Sequence, residues 1–174
     1  MITKRLLIIA FSWGIIFVQA KSQEIEKIEL RDENGNLKTK FSIAINSGDT
    51  VYHGSYMDYY PNGKIKDSCF FKGGIRIGTE IFYDKKGRKT FVNEYVGETF
   101  PRLIKTKAFY YSGTCRYVEG EMIEETPGNA VTEGVIKYYW KNMQIMDSVI
   151  FENNKKTYRA RFNKKGEFQF DNKY

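Results

Sequence analysis

Gly54-Ser-Tyr-Met-Asp-Tyr-Tyr60-Pro-Asn-Gly63 and Gly78-Thr-Glu-Ile-Phe-Tyr83-Asp-Lys-Lys-Gly87 repeat one pattern, and this pattern decides the fold. Each stretch has a strand-forming run with aromatic residues, followed by a short polar segment that ends in glycine. Corresponding glycines lie 24 positions apart in the sequence. A repeat of this length is typical of one supersecondary unit stacked on its neighbours. The pattern predicts an extended β surface that binds a ligand, and it disfavours a catalytic pocket.

The polar segments carry the turn chemistry of β-hairpin tips. In Tyr83-Asp-Lys-Lys-Gly87 and Phe162-Asn-Lys-Lys-Gly166, an aromatic residue ends a strand and an Asp or Asn can bond its own backbone. Glycine then supplies the left-handed conformation that lets the chain reverse. When Gly134 is aligned with Gly78, a further copy of the repeat appears near the C-terminus. In this copy Asn153-Asn154 takes the place of Gly73-Gly74, the pair at the turn on the other end of the strands, and asparagine is the next best residue for a positive φ angle.

Residues 1–20 read as a secretory signal peptide. Lys4 and Arg5 form its positive start, an apolar stretch follows from Leu6 to Val18, and small residues mark a cleavage site at Ala20. The stretch is shorter than the roughly 20 apolar residues of a spanning helix. We therefore expect export to the periplasm or cell exterior, with no transmembrane span in the mature chain.

The remaining residues, 21–174, fit a single all-β domain. We expect an elongated antiparallel sheet of stacked β-hairpin repeats, because strand formers dominate and no segment has convincing amphipathic helical periodicity. The domain divides into a capping hairpin at 21–48, clear repeats at 49–95, an irregular middle at 96–132 and C-terminal repeats at 133–174.

Aromatic residues at the strand ends are candidates for a binding surface. Because strand side chains alternate between two faces, neighbouring rings in one strand point to opposite sides. We expect Tyr60, Tyr83 and Tyr139 to share one face. The candidate surface lies on the other face and consists of Tyr59, Phe82 and Tyr138. The alternative is that both sets of rings only hold the hairpins in register.

Four lysines at two equivalent hairpin tips are a second candidate for binding: Lys85, Lys86, Lys164 and Lys165. Stacked repeats bring such tips to one edge, where they form a basic stripe for an acidic polymer, an anionic lipid or an acidic protein. The alternative is a set of solvated turn residues. The whole chain has a formal net charge of +7, but export argues against nucleic acid as the partner.

The chain offers few groups for metal, redox or cofactor chemistry. Cys69 and Cys115 are a candidate disulfide in an oxidising compartment, with two buried thiols as the alternative. Two cysteines and the single histidine, His53, do not make a metal-binding set. The sequence contains no phosphate-loop, dinucleotide or hydrolase motif, so we expect no cofactor and no enzymatic activity.

One acidic group keeps an enzymatic alternative open. Glu119, Glu121, Glu124 and Glu125 are clustered in sequence, and two carboxylates at a fixed separation can hydrolyse a glycosidic bond. An envelope enzyme acting on glycan or peptide would use this group. The alternation of Glu119 and Glu121 with apolar residues equally fits a charged, solvent-facing strand.

The glycine and tyrosine spacing, followed by an aromatic-Lys-Gly-Gly stretch, resembles the MORN repeat (membrane occupation and recognition nexus). The closest likeness is to its degenerate variant in exported bacterial proteins, some of which are described as antitoxin-like. The resemblance covers Asp49 to Tyr95 well and Gly134 to Phe168 fairly. It implies stacked antiparallel hairpins and a role in binding proteins or anionic envelope components. An antitoxin or immunity protein is a further alternative.

Overall fold

The computed structural model describes residues 8–11, 14–17, 24–46, 49–111 and 115–174. Every regular element among them is a β-strand, which confirms the predicted all-β class. The described residues include no apolar helix of the length that crosses a membrane. The strands are β1 (Ile8–Phe11), β2 (Gly14–Phe17), β3 (Glu24–Arg31), β4 (Leu37–Asn46), β5 (Asp49–Tyr59), β6 (Ile65–Lys72), β7 (Ile75–Tyr83), β8 (Lys89–Val96), β9 (Arg102–Phe109), β10 (Cys115–Thr126), β11 (Asn129–Thr132), β12 (Gly134–Trp140), β13 (Ile145–Glu152), β14 (Lys155–Phe162) and β15 (Phe168–Lys173).

Strands β3 to β15 form one open antiparallel sheet of 13 strands. Strands adjacent in sequence are adjacent in the sheet, except that β10 pairs with both β11 and β12, which lie end to end beside it. The result is an elongated meander with β3 at one edge and β15 at the other. This confirms the predicted elongated antiparallel sheet. The segment at 96–132, which the sequence predicts to be irregular, continues the same sheet.

Strands β1 and β2 form a separate two-stranded sheet. They fall within the predicted signal peptide, whose charged start and cleavage site lie outside the described residues. The signal peptide therefore stays a prediction.

The strand register confirms the repeat alignment. In three hairpins, a glycine in the left-handed region stands opposite an aromatic residue 17 positions later in the chain. The φ angles of these glycines are 92°, 66° and 79°. The three pairs are Gly54 with Phe71, Gly78 with Tyr95, and Gly134 with Phe151.

The opposite turns repeat as well. Gly73 and Gly74 have φ angles of 56° and 82°, and Asn153 and Asn154 take the same place with 49° and 65°. Asparagine is one of the few residues with a side chain that adopts this region readily. The predicted substitution of an asparagine pair for a glycine pair is therefore confirmed.

The sheet has two faces with different chemistry. We call the side that carries Glu80 and Asn93 the front face, and the side that carries Lys107 and Glu119 the back face. A single-layer sheet leaves little room for an apolar core, and the front face instead buries polar groups that bond to one another. Glu80, which is 4 % exposed, accepts hydrogen bonds from Asn93 at 3.1 Å and Tyr95 at 2.7 Å.

The candidate disulfide between Cys69 and Cys115 does not form. Cys69 is a buried free thiol in β6, and Cys115 begins β10, with three strands between them. Strands are about 4.8 Å apart, so β6 and β10 are separated by roughly 19 Å, whereas bridged cysteines have Cα atoms within about 7 Å. Sequence spacing alone could not reveal this lateral separation.

Candidate functional site

The tips of five hairpins share one turn geometry. In each, the residue three positions after the start of the turn has a positive φ angle, between 65° and 85°, and donates its backbone N–H to the carbonyl of the first turn residue. Glycine occupies this position in four turns, and Met143 occupies it in the fifth with a φ of 65°. The five turns start at Asp32, Tyr60, Asp84, Trp140 and Asn163.

All these tips lie on the same side of the sheet, at one end of the strands. We call this side, which runs across the strands, an edge of the sheet. Because the strands form an antiparallel meander, every second connection returns to the same side. Tyr110, which follows β9, and Arg116 at the start of β10 lie at that edge too, where the Tyr110 N–H donates to the Arg116 carbonyl. We call the tips from β5–β6 to β14–β15 the tip row.

Side chains join neighbouring tips laterally, and the same bonds recur in two places. The amide of Asn62 donates to the Lys85 carbonyl at 2.9 Å, and the amide of Asn142 donates to the Lys164 carbonyl at 2.7 Å. Two aromatic residues that start a turn also donate to the neighbouring strand end, Tyr60 to the Tyr83 carbonyl at 2.8 Å and Trp140 to the Phe162 carbonyl at 3.2 Å. These bonds fix the spacing of the tips.

The predicted lysines occupy equivalent positions in the tip row. Lys85 and Lys86 fill the two middle positions of one turn, and Lys164 and Lys165 fill the same positions of another. All four are exposed. The turn segments of the row carry seven cations, Arg116 at the start of β10 adds an eighth, and the same segments carry only two acids, Asp84 and Glu167. The cations are Lys64, Lys85, Lys86, Arg88, Arg116, Lys141, Lys164 and Lys165.

Two aromatic rings in the tip row are flanked by cations, which the sequence did not reveal. The Tyr111 ring has the Arg88 guanidinium 4.1 Å and the Arg116 guanidinium 5.1 Å from its centroid. The Tyr111 hydroxyl donates to the Lys89 carbonyl at 2.8 Å, which anchors the ring. Such contacts hold flexible cationic side chains in place.

The Trp140 ring is flanked in the same way. The Arg161 guanidinium lies 5.6 Å and the Lys164 ammonium 5.8 Å from its ring. The alignment of Gly134 on Gly78 places Trp140 at the first position of a turn, and this was the available signal for its location at the edge.

The three aromatic rings of the candidate binding surface do not lie on one face of the sheet. Phe82 and Tyr138 lie on the front face, where Phe82 packs edge-to-face on Phe91 with centroids 6.0 Å apart. Tyr59 lies on the back face, and its hydroxyl contacts the Met57 sulfur at 3.4 Å. The prediction that Tyr59, Phe82 and Tyr138 line the same side is therefore wrong for Tyr59.

The reason is a shift of one residue at the tip. Tyr60 begins its turn, as Asp84 does in the next hairpin, so Tyr59 is the equivalent of Tyr83 and Tyr139. The β-bulge beside each tip does not cause this shift, because it recurs in all three hairpins and lies on the strand that follows the tip. The adjacent tyrosines at 59 and 60 concealed which of the two is the equivalent of Tyr83.

The acidic group of the middle region divides between the two faces. Glu119 and Glu121 lie on the back face beside an open depression of about 360 Å³, which is also lined by Lys105, Lys107, Val135 and Lys137. Glu119 accepts hydrogen bonds from the hydroxyls of Tyr139 at 2.5 Å and Tyr117 at 2.9 Å. The bond from Tyr139, above all, holds the pKa of Glu119 below its usual value.

Glu124 lies on the front face and is structural. It forms a buried salt bridge with Arg102, with 2.7 Å between Nε and Oε2, and its other oxygen accepts the Gly128 N–H at 2.8 Å. The four glutamates are therefore not gathered around one pocket, and Glu125 is an exposed residue at the end of β10.

A second acidic cluster lies on the front face, and the sequence did not indicate it. Asp58 and Asp67 face each other across β5 and β6, and Glu80 lies on the adjacent strand. Burial, followed by the charge of Glu80, raises the pKa of Asp67 to about 6. Among the described residues, no three His, Cys, Asp or Glu side chains are placed to hold a metal ion together.

No protein-family model, curated protein or solved structure matches this chain. The resemblance to MORN repeats stays a prediction that depends on the motifs quoted above.

Proposed function

We propose that this protein is an exported, non-enzymatic β-repeat protein that acts as a binding module for a protein or an anionic component of the cell envelope. The observation that carries the proposal is the tip row, which presents exposed cations at equivalent positions along one edge of the sheet. The lateral bonds of Asn62 and Asn142 fix the tips before a ligand arrives. Such preorganisation lowers the entropic cost of binding.

The open shape of the carboxylate region favours this proposal over an envelope enzyme. A glycosidase needs one carboxylic acid with a raised pKa and a site that surrounds the scissile bond. Glu119 has a lowered pKa instead, and its depression on the back face is shallow and open to solvent. The signal peptide and the MORN resemblance point in the same direction as the tip row, because both imply an exported binding protein.

Site-specific photocrosslinking in the cells that make the protein tests the proposal. A photoreactive amino acid is placed at Lys86 or at Lys165 in the tip row, and at Lys156 on the opposite edge as the matched exposed control. We expect adducts of one reproducible mass from both tip positions and none from the control. Adducts from the control alone, or no adduct from either tip position, would contradict the proposal.

A further inference from the structure

We propose that the tip row binds a linear polyanion, a chain with a carboxylate or phosphate group in each repeating unit. This inference rests on the proposed function, and it names the class of ligand. Its basis is the combination of regular spacing, unneutralised charge and a one-sided charge distribution.

The spacing of the tips suits a repeating ligand. Adjacent tips are two strands apart, so they recur about every 9.5 Å along the edge, and the row spans roughly 40 Å. Each tip contributes at least one cation. A single extended chain laid along the edge therefore meets cations at regular intervals, whereas a compact anion reaches only one or two tips.

The charge of the row is not neutralised internally. Of its eight cations, only Arg88 forms a salt bridge with a described carboxylate, that of Asp84, with 2.7 Å between Nη2 and Oδ2. The Lys64 ammonium donates to the Lys86 carbonyl at 2.9 Å, which positions its charge without cancelling it.

The two long edges of the sheet differ in charge. On the edge opposite the tip row, five acids accompany three lysines, and two arginines near that edge, Arg76 and Arg102, are neutralised by salt bridges with Glu80 and Glu124. The acids are Asp49, Glu98, Glu125, Glu133 and Glu152, and the lysines are Lys72, Lys155 and Lys156. The first tip, which precedes the row, carries Asp32 and Glu33, and its one adjacent cation, Arg31, is bonded to the Gly35 carbonyl and to Glu29. A polyanion is thus attracted to one edge, and the basic row ends where the acidic tip begins.

The aromatic rings of the row favour a polymer over a bilayer surface. Membrane-surface proteins insert aromatic or apolar side chains at the lipid interface. Here Tyr111 and Trp140 are held against cations and bonded to backbone carbonyls, so they order the charges of the edge. The exposed side chains of Tyr110 and Met143 stand on separate tips, as scattered surface residues do, and form no continuous apolar patch. A line of ordered charges is complementary to a linear polymer rather than to the flat surface of a bilayer.

Chain length is the property that identifies this ligand. One exposed ion pair contributes little, about 0–1 kcal/mol, but several on one ligand add, because later contacts form within the complex. Affinity is therefore expected to rise steeply with polymer length until the chain spans the row, and then to level off. It is also expected to fall steeply with added salt.

The experiment measures binding of linear polyphosphate and poly-L-glutamate to the purified protein by fluorescence anisotropy. Three lengths are used: shorter than one tip spacing, spanning two tips, and longer than the whole row. Vesicles of phosphatidylcholine with phosphatidylglycerol are assayed in parallel. The variant K85Q/K86Q is compared with K155Q/K156Q, an adjacent pair of exposed lysines on the opposite edge with the same change in charge.

We expect the tip variant to weaken binding of the longest chains about tenfold, and the control variant to change it less than about twofold. Equal losses in both variants, or affinity that does not depend on length, would overturn the inference. Salt-sensitive binding to vesicles without binding to either polymer would also overturn it in favour of a lipid surface. If polymers fail to bind while the tip positions still give crosslinks in cells, this inference fails and the proposed function stands.

Discussion

The side-chain amide of Asn142 donates a 2.7 Å hydrogen bond to the backbone carbonyl of Lys164, 22 residues away in the next hairpin. Asn62 makes the same bond to Lys85. The two pairs occupy equivalent turn positions, so the bond is a repeated device that ties one tip to the next.

Replacing either asparagine should loosen the tip row. Each side chain also accepts a backbone N–H within its own turn, that of Lys64 for Asn62 and that of Gln144 for Asn142. We therefore expect Asn142→Ala and Asn62→Ala each to lower the free energy of unfolding by about 1–2 kcal/mol, the usual net value of two exposed hydrogen bonds. Chemical denaturation measures the change. Asn34 has the same turn position in the first tip, and its side-chain amide makes no hydrogen bond to a described residue. Asn34→Ala is therefore the matched control, and a loss as large as in the other two variants would contradict this account.

The Arg102–Glu124 salt bridge should be costly to break. The two side chains are 2 % and 6 % exposed, and the guanidinium also donates to the Arg76 carbonyl and lies 4.6 Å from the Tyr95 ring centroid. Removing one partner leaves a buried charge unpaired, so we expect Glu124→Ala to destabilise the protein by about 3–5 kcal/mol.

A double-mutant cycle measures the interaction energy between Arg102 and Glu124 separately from the contacts that each makes with other residues. Arg102→Met combined with Glu124→Leu should be less destabilising than the sum of the single changes, because no charge is then left unpaired. Additive effects in urea denaturation would show that the two side chains are not coupled.

Stability should fall as the pH rises through the range in which Asp67 titrates. The folded pKa of about 6 lies above 3.8, the ordinary pKa of an aspartate in an unfolded chain. Between these values the folded protein retains a proton that the unfolded chain has lost, so the free energy of unfolding decreases as the pH rises. Above about pH 6 the Asp67 carboxyl is ionised in both states, and the loss of stability no longer grows. Partial solvent screening limits the cost to about 1–2 kcal/mol.

Asp67→Asn should remove this penalty. The variant is expected to match the wild type near pH 4 and to exceed it in stability above pH 6, since an amide can donate to the facing Asp58. Thermal unfolding across this range measures the difference. Asp49→Asn, at an exposed position, is the control and should follow the wild-type profile. A difference between wild type and Asp67→Asn that is independent of pH would refute the assignment.

Gly120 should tolerate no larger residue while Ile136 keeps its position. A Cβ atom at Gly120 would overlap the Cδ1 atom of Ile136 on the neighbouring strand. We expect Gly120→Ala to cost about 1–3 kcal/mol through overpacking. Ile136→Val removes the overlapping methyl group, so the double variant Gly120→Ala/Ile136→Val should recover part of the loss. If the second change gave no recovery, the strain would have another origin.

The repeat, the tips and the common edge of the lysines could be predicted because their causes are local. Gly78 and Gly134 mark positions where the backbone needs a positive φ, and turn residues such as Asn163 satisfy their own backbone. Once these reversals are placed, the antiparallel meander follows, and Lys86 and Lys165 must reach the same side.

Other features could not be predicted because they depend on pairing across strands. The sequence groups Glu124 with three other acids, but its partner Arg102 lies 22 residues away on another strand. Aromatic residues occur on both faces, so the alternation pattern did not indicate which face buries Glu80. The turn that follows β5 begins at Tyr60, so Tyr59 and not Tyr60 is the equivalent of Tyr83, and an alignment error of one residue is enough to place a ring on the opposite face.

Each inner hairpin of this sheet packs against the hairpin before it and the hairpin after it. The sheet is open, because its end strands β3 and β15 do not pair with each other. A closed sheet fixes its number of strands through its circumference, but the open order of β3 to β15 sets no such limit on the number of units. Duplication of one 24-residue unit would insert another tip with its own charges and leave the flanking units undisturbed. The length of such a sheet therefore changes in steps of one repeat, by copying rather than by redesign.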